Sequence, residues 1–111
     1  RRIRRTEHER RNNMDIKKTK NDTTLTLAIQ GRIDTTTAPQ LEAELRSDID
    51  GVTELYLDFT GVEYISSAGL RVLLSAQKLM SRQGKMVLSH VNESVMEVFE
   101  VTGFSDILTI E

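Results

Sequence analysis

Polar and apolar positions along this chain change period several times, and each change marks an element. Residues 23–30 alternate, with Leu25, Leu27 and Ile29 on one side and Thr24, Thr26 and Ala28 on the other. A period of two is that of a strand with one face in a core. The segment 15–19, with Ile16 its one large apolar residue, is a shorter strand that pairs with it as a hairpin across the Asn21, Asp22 turn. Gly31 to Asp34 then leave the strand, and the period becomes helical. Ala38, Leu41, Leu45 and Ile49 make an apolar stripe, with Glu42, Glu44, Arg46 and Asp48 on the wet side. Pro39 suits the first turn of that helix, where a missing N–H costs nothing, and Asp50 and Gly51 end it.

Residues 53–59 read as a third strand through Leu55, Tyr56, Leu57 and Phe59, with Gly61 marking a turn after it. Ser66 and Ser67 precede Leu70, Leu73, Leu74, Ala76, Leu79 and Met80, the wide apolar face of a helix that runs to about Gln83 and stops at Gly84. Arg71, Ser75, Lys78 and Arg82 line its opposite side, and a solvated face explains them more simply than a partner does. Met86, Val87 and Leu88 form a short strand. Asn92 caps a helix over 93–101 that Gly103 closes, and residues 106–110 form a last strand. The order β-β-α-β-α-β-α-β predicts a single α/β domain with a mixed, mostly parallel sheet packed by helices.

Sites in such sheets gather beyond the carboxyl ends of the strands. Asp34 follows the second strand, Asp58 is read as closing the third, and Ser66 and Ser67 open the next helix, so all are expected at one end. A helix N-terminus is also the positive end of a dipole. A serine there is an ordinary cap or a functional hydroxyl, and their convergence with the two aspartates weighs the two readings about equally.

Composition narrows the classes of function. The 111 residues are 38% hydrophobic and 29% charged, enough for one core and without an apolar run of membrane-spanning length. Cysteine is absent, which removes disulfides and thiolate metal sites and fits a cytoplasmic setting. His8 and His90 form no ligand cluster, so no metal or cofactor is implied. The net charge of −2 hides an asymmetry: residues 1–13 carry six Arg against Glu7 and Glu9, whereas the remainder carries nine basic and fifteen acidic residues. That acidic body argues against direct DNA binding. Residues 1–13 are expected to be a disordered basic extension, added by cloning or upstream translation, with the domain proper spanning 14–111. A basic arm able to bind nucleic acid or anionic lipid is the competing reading. No nucleophile–base pair or nucleotide-cradling glycine loop points to an enzyme.

Three stretches together resemble the STAS domain, and specifically bacterial anti-sigma factor antagonists. Gly31, Arg32, Ile33 and Asp34, followed by Thr37, Ala38, Pro39 and Leu41, resemble the family's Gly-x-Leu-Asp motif and first helix. Residues 55–62 resemble its Asp-containing central strand. Tyr64 to Leu70 resembles the Phe-x-Asp-Ser-Ser-Gly-Leu stretch around its phosphorylated serine. By position, the resemblance makes Ser67 the phosphoacceptor, Gly69 and Leu70 its following Gly-Leu, and Asp34 and Asp58 the nearby acidic pair. Thr36, Thr37, Ser66, Ala68 and Arg71 complete the surface expected to meet a partner or its nucleotide. Two positions depart from the pattern: Ser66 stands where Asp is frequent, and Ala68 replaces a Ser. The implied function is a partner-switching regulator that binds an anti-sigma factor serine kinase when unphosphorylated. ATP-dependent phosphorylation of Ser67 releases it, and a serine/threonine phosphatase resets it. A docking subunit of a transporter ATPase or signalling complex, without a switch, is the alternative. Neither implies membrane insertion.

Overall fold

The computed structural model describes residues 14–111. β1 (Met14–Asn21) and β2 (Thr24–Ile33) form an antiparallel hairpin. β3 (Glu54–Ile65), β4 (Lys85–Ser89) and β5 (Thr109–Ile110) add in parallel, in the spatial order β1-β2-β3-β4-β5. α1 (Ala38–Asp48), α2 (Ser67–Gln83) and α3 (Glu93–Thr102) each join two neighbouring parallel strands, and a 3-10 turn at Phe104–Asp106 leads into β5. The chain is thus one α/β domain with the expected element order. Residues 1–13, assigned above to a basic extension, lie outside the described residues.

The alternation of β2 and β3 decides where the core sits. Leu25, Leu27, Ile29, Leu55, Leu57 and Phe59 are fully buried, while Thr24, Thr26, Ala28, Glu54, Tyr56 and Asp58 on the other face are only partly covered. The buried face meets Leu41 and Leu45 of α1, Leu73 and Met80 of α2, and Phe99 of α3. Phe59 and Phe99 pack with ring centroids 6.4 Å apart and planes tilted by 49°, tying α3 to the sheet centre. At the edge, Lys18 bridges Asp48 at 2.5 Å and Glu44 at 2.6 Å, joining β1 to α1. The hydrogen bond to Asp48, then that to Glu44, raises the Lys18 pKa above its ordinary value.

The two strands that lead into the site, β2 and β3, run further than their sequence suggests. β2 does not end before Gly31 but continues to Ile33, and β3 does not turn at Gly61 but continues to Ile65. The register explains both. Ala28 faces Asp58 but Gln30 faces Gly61, and Gly31 faces Val62 but Arg32 faces Tyr64. β3 therefore carries one extra residue at each of two bulges, and the pairing resumes after each. Gly61 serves this pairing, since a Cβ there would lie 2.7 Å from Cγ of Gln30. Gly31 takes φ 103°, the left-handed region that favours glycine. The consequence is functional: Ile33 and Ile65 are brought side by side at the strand ends, immediately before Asp34 and Ser66.

Candidate functional site

The start of α2 is held from two directions. The Ser66 backbone N–H donates to the carbonyl of Ile33 at 2.8 Å, anchoring the helix entry to the end of β2. Ser66 itself is extended (φ −98°, ψ 176°), and its hydroxyl accepts from the Gly69 N–H at 3.4 Å, so Ser66 is the N-cap. Gly69 faces the strand ends, where a Cβ would fall 2.6 Å from Cγ2 of Ile33 and 2.8 Å from Cγ1 of Ile65. Leu70 is buried behind it. With Ser66 used as the cap and Gly69 and Leu70 turned inward, Ser67 is left on the outside. It is exposed, it is the first residue of α2, and its hydroxyl makes no hydrogen bond among the described residues.

The Asp34 loop stands next to this helix end. One Asp34 carboxylate oxygen accepts from the Thr36 hydroxyl at 2.8 Å, the Thr36 N–H at 3.0 Å and the Thr37 N–H at 3.1 Å. The Thr36 hydroxyl bond, opposed in part by burial and helped by the backbone bonds, holds the Asp34 carboxyl below its usual pKa. Thr37, only 1% exposed, positions the loop and is not on its surface: its hydroxyl accepts from the Asp34 N–H and donates to the Arg32 carbonyl, each at 2.8 Å. Thr36 and Asp34 remain accessible. Between the loop and α2 lies a concavity lined by Thr35, Pro39, Ala68 and Arg71. Arg71 is exposed one helical turn beyond Ser67.

Asp58 is not brought to this end. It lies seven positions before Ile65; its β2 neighbour Ala28 lies five before Ile33, so Asp58 and Ile65 are roughly 16 Å apart along the sheet. Its side chain lies on the face opposite Leu57 and Phe59. There it accepts from the Thr60 hydroxyl at 2.6 Å and the Thr60 N–H at 2.9 Å, and meets Nδ1 of His90 at 3.2 Å. The two Thr60 bonds, with a smaller contribution from His90, lower the Asp58 pKa. The strand continues past Asp58 because the bulges keep it paired, which is why the aspartate expected to close the strand sits in its middle.

Two residues missing from the sequence-based set flank the site instead. The Arg32 guanidinium stacks over the Tyr64 ring at 4.3 Å from the centroid, and its Nε lies 3.8 Å from the Asp34 carboxylate. Tyr64 is 40% exposed, a large aromatic face beside the helix end. An extended β2 would have exposed this pairing, because Arg32 and Tyr64 are direct neighbours only if both strands run on.

The arrangement joins an exposed hydroxyl, a helix N-terminus and a rigid Asp/Thr loop. It offers no base in hydrogen-bond contact with Ser67 among the described residues, and no group there of three or more His, Asp or Glu could hold a metal ion. Nor is any helix among the described residues long and apolar enough to cross a membrane.

An α/β module whose sheet presents such a serine-led helix defines a recognisable class. The STAS domain model matches residues 15–111, and the chain belongs to the STAS domain family. Among its relatives, a protein of Bordetella bronchiseptica named provisionally as the anti-sigma factor antagonist BtrV is 42% identical over 99 residues, covering 87% of this chain and 85% of that protein. The anti-sigma-B factor antagonist of Bacillus subtilis is 31% identical over 99 residues, covering 88% of this chain and 89% of its own. The fold is also that of solved antagonists. An anti-sigma factor antagonist from Mycobacterium paratuberculosis superposes with a TM-score of 0.81 at 20% identity, covering 89% of this chain and 86% of its own. Unphosphorylated SpoIIAA of Bacillus gives 0.76 at 18% identity, covering 87% and 88%.

Proposed function

We propose that this chain is an anti-sigma factor antagonist that works by partner switching at Ser67. Unphosphorylated, it binds an anti-sigma factor that is also its serine kinase, and so frees a sigma factor. In the complex the Ser67 hydroxyl oxygen attacks the γ-phosphorus of ATP. A new O–P bond forms, the bond to the β-phosphate oxygen breaks, ADP leaves, and the hydroxyl proton passes to the kinase. A serine/threonine phosphatase later removes the phosphate by hydrolysis. The chain is the substrate and the binding module in this cycle, and catalysis belongs to its partners.

The observation that carries this reading is the division of labour between the two serines. Ser66 is committed to capping α2, whereas Ser67 is exposed at the helix start with its hydroxyl available. A phosphate there would add nearly two negative charges and three acceptor oxygens at the positive end of a helix. The fold would tolerate it or gain slightly. The effect would therefore fall on the partner interface, through bulk, desolvation and repulsion, with Asp34 adding to the negative potential. The antagonist names of the two relatives point the same way.

The test is to incubate the wild type, Ser67→Ala and Ser66→Ala with ATP and lysate of the source organism, then map phosphate by intact and peptide mass spectrometry. Phosphate lost only in Ser67→Ala is the expected result. Phosphate retained in that variant would overturn the assignment, as would its absence from every form when the kinase is present and active.

A further inference from the structure

The basic residues of the domain are not spread evenly. Residues 14–111 carry nine Lys and Arg against fifteen Asp and Glu, yet four of the nine border one groove. The groove runs between α1 and α2. Two adjoining concavities form it, of about 390 and 400 Å³, which share Glu42, Val72 and Ser75. Leu45, Ile49, Val72 and Ala76 make its apolar floor. Leu79 stands on its wall, 37% exposed, with Lys78 and Arg82 beside it and Arg71 at the end nearest Ser67. Across the groove, Arg46 pairs with Glu42 at 3.2 Å, an i,i+4 contact within α1. Arg71, Lys78 and Arg82 have no acidic partner among the described residues, and Asp50 is the one other carboxylate on the lining. A positive, apolar-floored groove on an otherwise negative domain is the reverse of a uniformly solvated surface.

We infer that this groove is the docking surface for an acidic segment of the anti-sigma factor kinase, one that lays an apolar side chain against Leu79 and carboxylates against Lys78 and Arg82. This rests on the function proposed above and adds the chemistry of the partner's contact. Charge complementarity selects the occupant: a basic or neutral segment would leave three cations facing it unpaired, whereas carboxylates would pair with them. Position supports it too, because the groove opens at Ala68 and Arg71 beside Ser67, so one partner would cover both. Lys78 and Arg82 lie 11 and 15 residues beyond Ser67. At the helical rise this is roughly 16 and 22 Å, which separates docking from recognition of the phosphorylated residue itself.

The experiment compares the initial rate of Ser67 phosphorylation by the purified anti-sigma factor kinase of the same genome, with ATP, at low and at physiological ionic strength. The substrates are the wild type, Lys78→Glu/Arg82→Glu, and the control Lys17→Glu/Lys20→Glu, which makes the same charge change on β1. Circular dichroism and melting verify that each is folded. The inference expects a fall of about tenfold or more in kcat/KM for the groove variant, carried by KM, with a weaker salt dependence than the wild type and little change in the control. Equal rates for wild type and groove variant, or equal losses in groove variant and control, would overturn it while leaving partner switching intact. No phosphate on the wild type would overturn the functional reading and this inference with it.

Discussion

Gly69→Ala is the substitution that most sharply tests how the site is built. A methyl group at this position would fall 2.6 Å from Cγ2 of Ile33, 2.8 Å from Cγ1 of Ile65 and 3.3 Å from the Ile33 carbonyl oxygen. Comfortable carbon–carbon contact begins near 3.5 Å, so the start of α2 must retreat from the strand ends by about 1 Å or the isoleucines must leave their rotamers. Both isoleucines are buried, at 0% and 2% exposure, so neither can swing aside without disturbing its packed neighbours. Overpacking of this kind costs about 1–3 kcal/mol. Alanine returns at most about 0.5–1 kcal/mol through its better helix propensity. The net expectation is a loss of about 1–2 kcal/mol, equivalent to a drop of roughly 5–15 °C in melting temperature for a domain of this size. Urea unfolding followed by circular dichroism should show a lower midpoint at an unchanged m-value. A midpoint equal to or above that of the wild type would refute the claim that close approach of α2 to Ile33 and Ile65 holds Ser67 in place.

Other substitutions separate capping, loop order and core packing. Ser66→Ala should lose about 0.5–1 kcal/mol in the same assay, the low end for an N-cap because its bond is long, yet keep its phosphate; Ser66→Asp should match or exceed the wild type, since aspartate caps as well and adds charge at the positive helix end. Asp34→Asn should flatten the acid limb of stability. A carboxylate held below its unfolded pKa contributes stability that is complete above about pH 4 and is lost as pH falls through the folded value, so urea midpoints between pH 3 and 7 should depend less on pH in the variant, and an unchanged slope would count against the Thr36 and Thr37 bonds. Phe99→Ala removes a fully buried ring packed on Phe59 and should cost about 3–5 kcal/mol by calorimetry; a loss under about 1 kcal/mol would mean α3 is not anchored there.

Much of this molecule is legible in its sequence because its signals are local. The alternation at Leu25, Leu27 and Ile29 is a strand wherever it occurs, and Pro39, Ser66, Asn92 and Gly103 mark helix ends by chemistry confined to one turn. Asn92 does cap α3, its side chain accepting from the Val95 N–H at 2.8 Å, and Gly103 closes it with φ 84°. What the sequence conceals depends on partners distant along the chain. Gly61 looks the same whether it bends the chain or makes room for Gln30 of a neighbouring strand, and only the pairing of β2 with β3 decides. From that one ambiguity follow the shortened strands, the misplaced Asp58 and the unnoticed Arg32–Tyr64 stack. The serines show the reverse case. Either could have capped α2 on local grounds, and the backbone of Ile33 selects Ser66 by receiving its N–H, leaving Ser67 outside.

Partner switching is tested most directly by the affinity of the purified anti-sigma factor for the chain with and without phosphate on Ser67, measured by titration calorimetry beside circular dichroism of both forms. An interface that must bury a doubly charged group loses at least about 2 kcal/mol, so binding should weaken by about thirtyfold or more while the folded spectrum is unchanged. Equal affinity for the two forms, or a loss that accompanies unfolding of the domain, would contradict the switch at Ser67.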